Sequence, residues 1–183
     1  MRLFTGCACA LVTPFTREGT LDEAALARLT QWHIAQKTDA LVVCGTTGEA
    51  STMAEHEQTA ALRAVVEAVQ GRVPVLAGVG GNDTKKVIAA CRRAAREGAA
   101  GALAVTPYYN KTTQEGLIAH YTAVADASPI PVVCYNVPGR AGLNLLPATM
   151  AALSRHENIA GLKEAAGDMA QAMEMLRLCG PDF

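Results

Sequence analysis

Short apolar runs alternate along the chain with longer amphipathic stretches. The runs have the length and composition of buried strands. The longer stretches repeat apolar residues at helical spacing, as Leu62, Val65, Val66 and Val69 do. The predicted strands are Cys7–Val12, Ala40–Cys44, Val73–Val79, Ala102–Thr106, Val132–Asn136 and Ile159–Lys163. The predicted helices are Asp22–Gln36, Met53–Gln70, Thr84–Glu97, Thr113–Ala127, Pro147–His156 and Met169–Cys179.

Polar residues at the element boundaries support this division. Threonine followed three residues later by glutamate predicts capping boxes at three helix starts, namely Thr20 with Glu23, Thr52 with Glu55, and Thr112 with Glu115. Gly71 and Gly98 follow predicted helix ends, where a left-handed residue is favoured.

Strands that recur with a helix between each pair predict a parallel sheet with right-handed crossovers. Two α/β architectures fit this order, a doubly wound open sheet and a βα barrel. The first strand is not followed by a Gly-x-Gly-x-x-Gly turn, which argues against a dinucleotide-binding fold. The glycine-rich stretch Gly78–Asp83 follows the third strand and is interpreted as a turn and helix cap.

Hydroxyl, phenol, guanidinium and amine groups follow the carboxyl ends of the predicted strands. They lie in the segments Gly45–Glu49, Thr106–Asn110, Tyr135–Arg140 and Lys163–Glu164. Barrel enzymes carry their active sites at this end, so the pattern favours a TIM (β/α)8 barrel. Because six βα units are found where a barrel needs eight, residues 1–183 are expected to form an incomplete catalytic barrel domain. Strands seven and eight would be missing, and strands one and six would have unpaired edges.

Composition excludes several classes of function. The formal net charge is -1, and 50% of the residues are hydrophobic and 18% are charged. The chain therefore lacks the excess of positive charge that is typical of proteins that bind nucleic acid or an anionic membrane. No segment has the length of a membrane span or the features of a signal peptide. The cysteines occur singly, which predicts reduced core thiols in a cytoplasmic protein. The histidines lie in helical stretches without a second ligand at metal spacing, so no metal is expected.

Lys163 is the most unusual residue in any predicted strand. Lysine is rarely buried without a partner, and alternation places Gly161 on the same face, which leaves space beside its stem. Burial would favour the neutral amine over the ammonium, as Schiff-base chemistry on a carbonyl substrate requires. The alternative is a lysine at a strand end whose amine reaches solvent.

The segment Gly45–Glu49 links the second strand to a helix. Gly45 and Gly48 permit tight turns, while backbone amides and the hydroxyls of Thr46 and Thr47 could bind a small anion near a helix N-terminus. The alternative is a turn with a polar cap.

Three further side chains are candidates for the chemistry. Tyr135 ends the fifth strand, where a phenol could shuttle protons or could belong to the core. Arg140 follows a Pro-Gly turn and could bind a carboxylate or lie in solvent. Tyr108 and Tyr109 suit a subunit interface or a substrate lid.

Four motifs in this order resemble the dihydrodipicolinate synthase family, within the class I aldolase superfamily that includes N-acetylneuraminate lyase. They are Gly-Thr-Thr-Gly-Glu from Gly45, Thr-Pro-Tyr-Tyr-Asn from Thr106, Tyr-Asn-Val-Pro-x-Arg from Tyr135, and Gly-x-Lys-Glu-Ala from Gly161. The resemblance runs from Phe4 to the last residue. It implies a lyase of lysine and diaminopimelate biosynthesis that condenses pyruvate with aspartate 4-semialdehyde to give 4-hydroxy-tetrahydrodipicolinate.

The resemblance also implies roles for individual residues. Lys163 would form the Schiff base with pyruvate, while Thr46 and Thr47 would hold the pyruvate carboxylate. Thr46, Tyr109 and Tyr135 would form a proton relay, with Tyr109 supplied by a neighbouring subunit of a homotetrameric dimer of dimers. Arg140 would bind the carboxylate of the semialdehyde. The covalent pyruvate imine replaces any separate cofactor.

Two departures from the family pattern change the expectations. Lysine-inhibited relatives have two histidines and a glutamate where this chain has Glu55, Gln58 and Lys86, which predicts weak or absent lysine inhibition. The family pocket also uses strands seven and eight, so little or no activity is expected from this chain alone. Two alternatives remain: a related aldolase acting on a sugar acid or 2-oxo acid, and a catalytically dead fragment that binds or assembles with a partner.

Overall fold

The computed structural model describes residues 3–180 and 183, and its strands and helices alternate as predicted. The strands are β1 (Ala8–Ala10), β2 (Ala40–Val43), β3 (Val75–Gly78), β4 (Gly101–Val105), β5 (Val132–Asn136) and β6 (Ile159–Glu164). The helices are α1 (Glu23–Ala35), α2 (Glu55–Val69), α3 (Thr84–Arg96), α4 (Gln114–Ala127), α5 (Pro138–Ala141), α6 (Pro147–Leu153) and α7 (Met169–Cys179). A 3₁₀ helix, Ala50–Thr52, and the short helix α5 were not predicted.

The helix starts differ from the predicted capping boxes. Asp22 caps α1 by accepting a hydrogen bond from the Ala25 amide at 2.8 Å. At α2 the Glu57 carboxylate accepts from the Ala54 amide at 2.7 Å, and Thr113 caps α4. The three predicted boxes are therefore wrong, because each helix begins two or three residues after the threonine assigned as its cap (Thr20, Thr52 and Thr112). The left-handed prediction for Gly71 and Gly98 is confirmed, with φ of 72° and 86°.

Residue contacts group the described chain into two units. The first unit comprises Leu3–Gly78 with Arg93–Ala102. In it, β1 pairs with β2 and β2 with β3, both in parallel. Leu41, Val65 and Leu26 are almost fully buried in this unit, so its core joins the sheet to the apolar faces of α1 and α2.

The second unit includes Val79–Arg92 and Leu103–Phe183. Here β5 and β6 pair in parallel. Tyr121 and Leu117 of α4 are buried completely, and the Tyr121 hydroxyl donates to the Ala104 carbonyl at 3.0 Å. Met175 of α7 is buried, whereas Met169 and Met173 of the same helix are 74% and 65% exposed.

Within each unit the paired strands follow the chain order that successive βα units produce, β1-β2-β3 in the first unit and β5-β6 in the second. Within the described residues, β1 and β6 are the two outermost strands, as predicted. No helix of the described part of the chain is long and apolar enough to cross a membrane.

Candidate active site

Lys163 and Tyr135 are directly opposite each other across β5 and β6. They are register partners in the parallel pairing. The Lys163 Nζ lies 4.3 Å from the centroid of the Tyr135 ring, within the range of a cation–π contact. Of the predicted catalytic residues, these two are the pair that the second unit brings together.

An irregularity in the strand pairing produces this juxtaposition. Val132 pairs with Ile159, but the next residue, Val133, pairs with Gly161, which leaves Ala160 as an extra residue in β6. A bulge of this kind shifts every later pairing by one position. Without it, Leu162 would lie opposite Tyr135 and Lys163 would lie opposite Asn136.

The prediction of a buried Lys163 is wrong, because its side chain is exposed. Lys163 lies on an outermost strand, and Tyr135, the residue opposite it, is only half-buried. At Gly161, on the same face, a Cβ would have no neighbouring atom within 4 Å. The space predicted beside the lysine stem is therefore present, but this face does not exclude water.

The opposite face of the same two strands carries a second register pair, Asn136 and Glu164. Asn136 is fully buried, and its Nδ2 donates to the Glu164 carboxylate oxygens at 2.9 and 3.2 Å. Glu164 therefore acts as a hydrogen-bond acceptor for the neighbouring strand. The role of Asn136 was missed, although its position directly after Tyr135 could have indicated it.

The segment Gly45–Glu49 forms a tight turn in the first unit. The Gly48 amide donates to the Gly45 carbonyl at 3.1 Å, and the buried Gly48 carbonyl accepts from the Thr13 hydroxyl at 2.6 Å. Thr46 and Thr47 are exposed, so their hydroxyls are accessible. The turn continues into the 3₁₀ helix, and α2 begins only at Glu55. Anion binding at this turn stays a prediction.

A close approach between strands fixes where this turn starts. A Cβ at Gly78, at the end of β3, would collide with the carbonyl group of Cys44 and would lie 3.0 Å from the Gly45 amide. Cys44 itself has a left-handed φ of 56°. Glycine at position 78 is therefore required by the path of the turn.

The remaining candidates are exposed in the second unit. Tyr109 is 91% exposed with a left-handed φ of 68°, and Tyr108 is 40% exposed, which suits the predicted interface or lid. Arg140 lies in α5 with its side chain exposed. Among residues 3–180 and 183, no group of three or more His, Cys, Asp or Glu side chains could hold a metal ion.

The residues from 3 to 183 match the profile of the Dihydrodipicolinate synthetase family. The chain belongs to this family. It is 52% identical to the 4-hydroxy-tetrahydrodipicolinate synthase of Geobacter sulfurreducens over 178 residues, which are 97% of this chain and 61% of that relative. The chain thus spans about three-fifths of the length of the curated relatives it matches.

Solved structures of the family confirm the fold. A dihydrodipicolinate synthase from Bacillus anthracis superposes with a TM-score of 0.97 at 41% identity, covering all of this chain and 63% of that one. The chloride-inhibited dihydrodipicolinate synthase from Acinetobacter baumannii, solved in complex with pyruvate, gives a TM-score of 0.92 at 42% identity, covering 94% and 59%. The predicted fold class, the first six βα units of a (β/α)8 barrel, is therefore confirmed.

Proposed function

We propose that this chain is the Schiff-base portion of a lyase of lysine and diaminopimelate biosynthesis. The substrates would be pyruvate and aspartate 4-semialdehyde, and the product 4-hydroxy-tetrahydrodipicolinate. The observation that carries the proposal is the pairing of the Lys163 amine with Tyr135 across β5 and β6. A primary amine beside a phenol supplies a nucleophile and a proton donor at one place.

The first step joins Lys163 to pyruvate. The neutral amine attacks the ketone carbon to form a carbinolamine, and a proton passes from nitrogen to oxygen. Tyr135 then protonates the hydroxyl, which leaves as water, and an imine remains. Loss of a proton from the pyruvate methyl group gives the enamine that acts as the carbon nucleophile.

The second step forms the carbon–carbon bond. The enamine carbon attacks the aldehyde carbon of the semialdehyde, and the new alkoxide takes up a proton. The amino group of the condensed product then attacks the imine carbon and displaces the Lys163 nitrogen. This closes the ring and regenerates the free amine, so one water is released overall and no cofactor is consumed.

The other candidates bind the substrates in this proposal. Gly45 and Gly48 shape the turn from which Thr46 and Thr47 would hold the pyruvate carboxylate. Arg140 would bind the semialdehyde carboxylate through its guanidinium group, which suits a planar anion.

We also propose that Tyr109 completes the proton relay of a neighbouring subunit. Its ring is 91% exposed on this chain, so it is accessible to a partner. The assembly would be a homotetramer built from two such dimers. A cytoplasmic location fits both a biosynthetic role and the free thiols of all six cysteines.

Trapping the imine tests the proposal. The chain is incubated with pyruvate and borohydride, which reduces an imine to a stable amine, and peptides are mapped by mass spectrometry. We expect one reduced pyruvate on Lys163 and none on Lys37 or Lys111, which are also exposed lysines of the same chain. A folded protein that gains no adduct would contradict the proposal and support the catalytically dead fragment.

The acceptor is tested separately. Once the imine has formed, aspartate semialdehyde and sugar aldehydes are supplied in parallel, and the products are identified by mass spectrometry. Little product is expected from this chain alone, and we expect what does form to come from the semialdehyde. Product from the sugar aldehydes alone would indicate a lyase acting on sugar acids.

A further inference from the structure

A continuous hydrogen-bond network surrounds the Asn136–Glu164 pair on the face of β5 and β6 opposite the lysine. The Asn136 Nδ2 donates to the Asn144 Oδ1 at 2.8 Å as well as to Glu164, and its Oδ1 accepts from the Leu145 amide at 2.9 Å. Gln171 Nε2 of α7 donates to the Asn144 Oδ1 at 3.2 Å and to Glu164 at 3.3 Å. The network thus joins both strands to the loop before α6 and to α7.

Backbone contacts continue the network past the end of β6. The Ala166 amide donates to the Glu164 Oε1 at 2.6 Å, and the Ala165 amide donates to the Asn136 carbonyl at 2.9 Å. Since Asn136 is fully buried, loss of one partner would leave buried polar groups unpaired. These contacts therefore strongly favour one position of Glu164 relative to Asn136.

Contacts that fix Glu164 relative to Asn136 matter because the register of β6 is otherwise weakly specified. The bulge at Ala160 makes the pairing of the following residues independent of the pairing of Ile159 with Val132. A slip of one residue would exchange the two faces of the strand and move Lys163 away from Tyr135. The residues from Gly161 to Lys163 are half-buried or exposed, so apolar packing specifies their register weakly.

We infer that Asn136 and Glu164 are positioning residues that hold β6 in the register in which the Lys163 amine faces Tyr135. Successive residues of a strand point to opposite faces, so fixing Asn136 against Glu164 fixes the preceding residues, Tyr135 and Lys163, against each other. Neither positioning residue contacts the substrate, because both side chains lie on the other face of the sheet. The catalytic consequence of this inference rests on the proposed function, whereas the register itself does not.

Substitutions at both positions test the inference through the trapping reaction. In Asn136→Ala and Glu164→Ala we expect the maximal rate of adduct formation to fall about tenfold or more, because misplacement by an ångström is costly. The pyruvate concentration at half-maximal rate should change little. Glu164→Gln keeps one acceptor oxygen and should be intermediate, and the double alanine variant should be no slower than the slower single variant.

Asn158→Ala is the matched control at the other end of β6. The Asn158 Nδ2 donates to the carbonyls of Ala125 and Ser128 at 2.8 and 2.9 Å, so this variant also removes amide hydrogen bonds from the strand. It lies before the bulge, and its maximal rate should stay close to that of the wild type. An equal loss of rate in Asn158→Ala and Asn136→Ala would overturn the inference.

Amide hydrogen exchange provides a measurement that does not require the imine. We expect Asn136→Ala and Glu164→Ala to speed exchange of residues 162–165 more than of residues 132–134, and Asn158→Ala to leave 162–165 protected. Unchanged exchange of 162–165 in folded variants would overturn the inference. If the wild type forms no adduct, the proposed function fails and the exchange pattern alone decides the register.

Discussion

Lys163 lies opposite Tyr135 because β6 contains one residue more than β5 between the first and second pairings of the two strands. The extra residue, Ala160, carries no reactive group, and because it stays outside the pairing, Lys163 rather than Leu162 lies opposite the phenol. The juxtaposition of the two candidate catalytic groups is therefore a property of backbone pairing as much as of side-chain identity.

Deletion of Ala160 should remove the bulge without moving Lys163 away from Tyr135. Gly161 would then follow Ile159 directly, so Val133 would still pair with Gly161 and Tyr135 with Lys163. We therefore expect the deletion variant to keep most of the wild-type trapping rate with pyruvate, as Ala160→Gly should, and the trapped peptide is identified by mass spectrometry. A trapping rate lower by about a hundredfold in a folded deletion variant would show that the pairing is not preserved.

Tyr135→Phe separates the phenol hydroxyl from the aromatic ring. The ring would still contact the Lys163 amine, but the proton donor would be lost, and the maximal trapping rate should fall about a hundredfold. The control is Tyr121→Phe, which removes a buried hydroxyl bonded to the Ala104 carbonyl. This control should lower thermal stability and leave the trapping rate nearly unchanged. Equal rates for Tyr135→Phe and the wild type would exclude the phenol as the proton donor.

His120 should make folding stability depend on pH. Its side chain is only 7% exposed, its Nδ1 contacts the Thr84 hydroxyl at 2.9 Å, and burial lowers its pKa below the ordinary 6.5. Below pH 6.5 the unfolded chain therefore binds more protons, and the free energy of unfolding falls as pH falls toward the folded-state pKa. The slope from this residue is at most about 1.4 kcal/mol per pH unit.

The measurement is urea unfolding of the wild type and His120→Gln between pH 5 and pH 8. The difference between the two curves isolates His120 from the other titrating groups. We expect the wild type to lose stability relative to the variant on acidification. If the free energy of unfolding of the two proteins changed with pH in parallel, His120 would not contribute to the pH dependence of stability.

The cysteines should differ sharply in reactivity. Cys7 is exposed, whereas burial raises the pKa of the Cys44 thiol to about 11 and also raises the pKa values of Cys91 and Cys134. Iodoacetamide at neutral pH should therefore label Cys7 within the time in which the three buried thiols stay protected. Labelling is followed by peptide mass spectrometry, with urea-unfolded protein as the control. Early labelling of Cys134 would contradict the buried core described for the second unit.

Lysine should inhibit the reaction weakly or not at all. Glu55 contacts Arg93 at 3.1 Å, and the Gln58 Nε2 donates to the Ala50 carbonyl at 2.8 Å, so both groups already have partners within the chain. Lys86 adds a positive charge that would repel the ligand ammonium. A lysine titration of the initial rate of product formation by the full-length enzyme should be flat or shallow for the wild type and steeper for Lys86→Glu. Strong inhibition of the wild type would overturn this prediction.

Periodicity predicted most of the fold. The bounds of β5 and α7 match the predicted ones, because strong apolar patterns define them. Helix starts were displaced, because a threonine shortly before a helix resembles its cap whether or not the chain turns there. The 3₁₀ helix and α5 are too short for a periodic signal, although Pro138 at the start of α5 favours a helical turn.

The sequence predicted which residue types form the candidate site, but it predicted only part of their arrangement in space. Motif chemistry identified Lys163 and Tyr135, and the structure pairs them. The exposure of Lys163 could not be read from an apolar run, because which face is covered depends on neighbouring strands. The bulge was also hidden, since an alanine beside a glycine in a strand gives no pattern that distinguishes it from an ordinary pairing.

The close approach at Gly78 has a consequence for libraries of random variants. Even alanine at this position would push the Cys44 carbonyl aside and displace the turn that carries Thr46 and Thr47, although Gly78 itself offers no group to any ligand. A screen for lost function would therefore score position 78 alongside the reactive residues. The structure shows that Gly78 matters because it has no side chain, which leaves room for the Cys44 carbonyl.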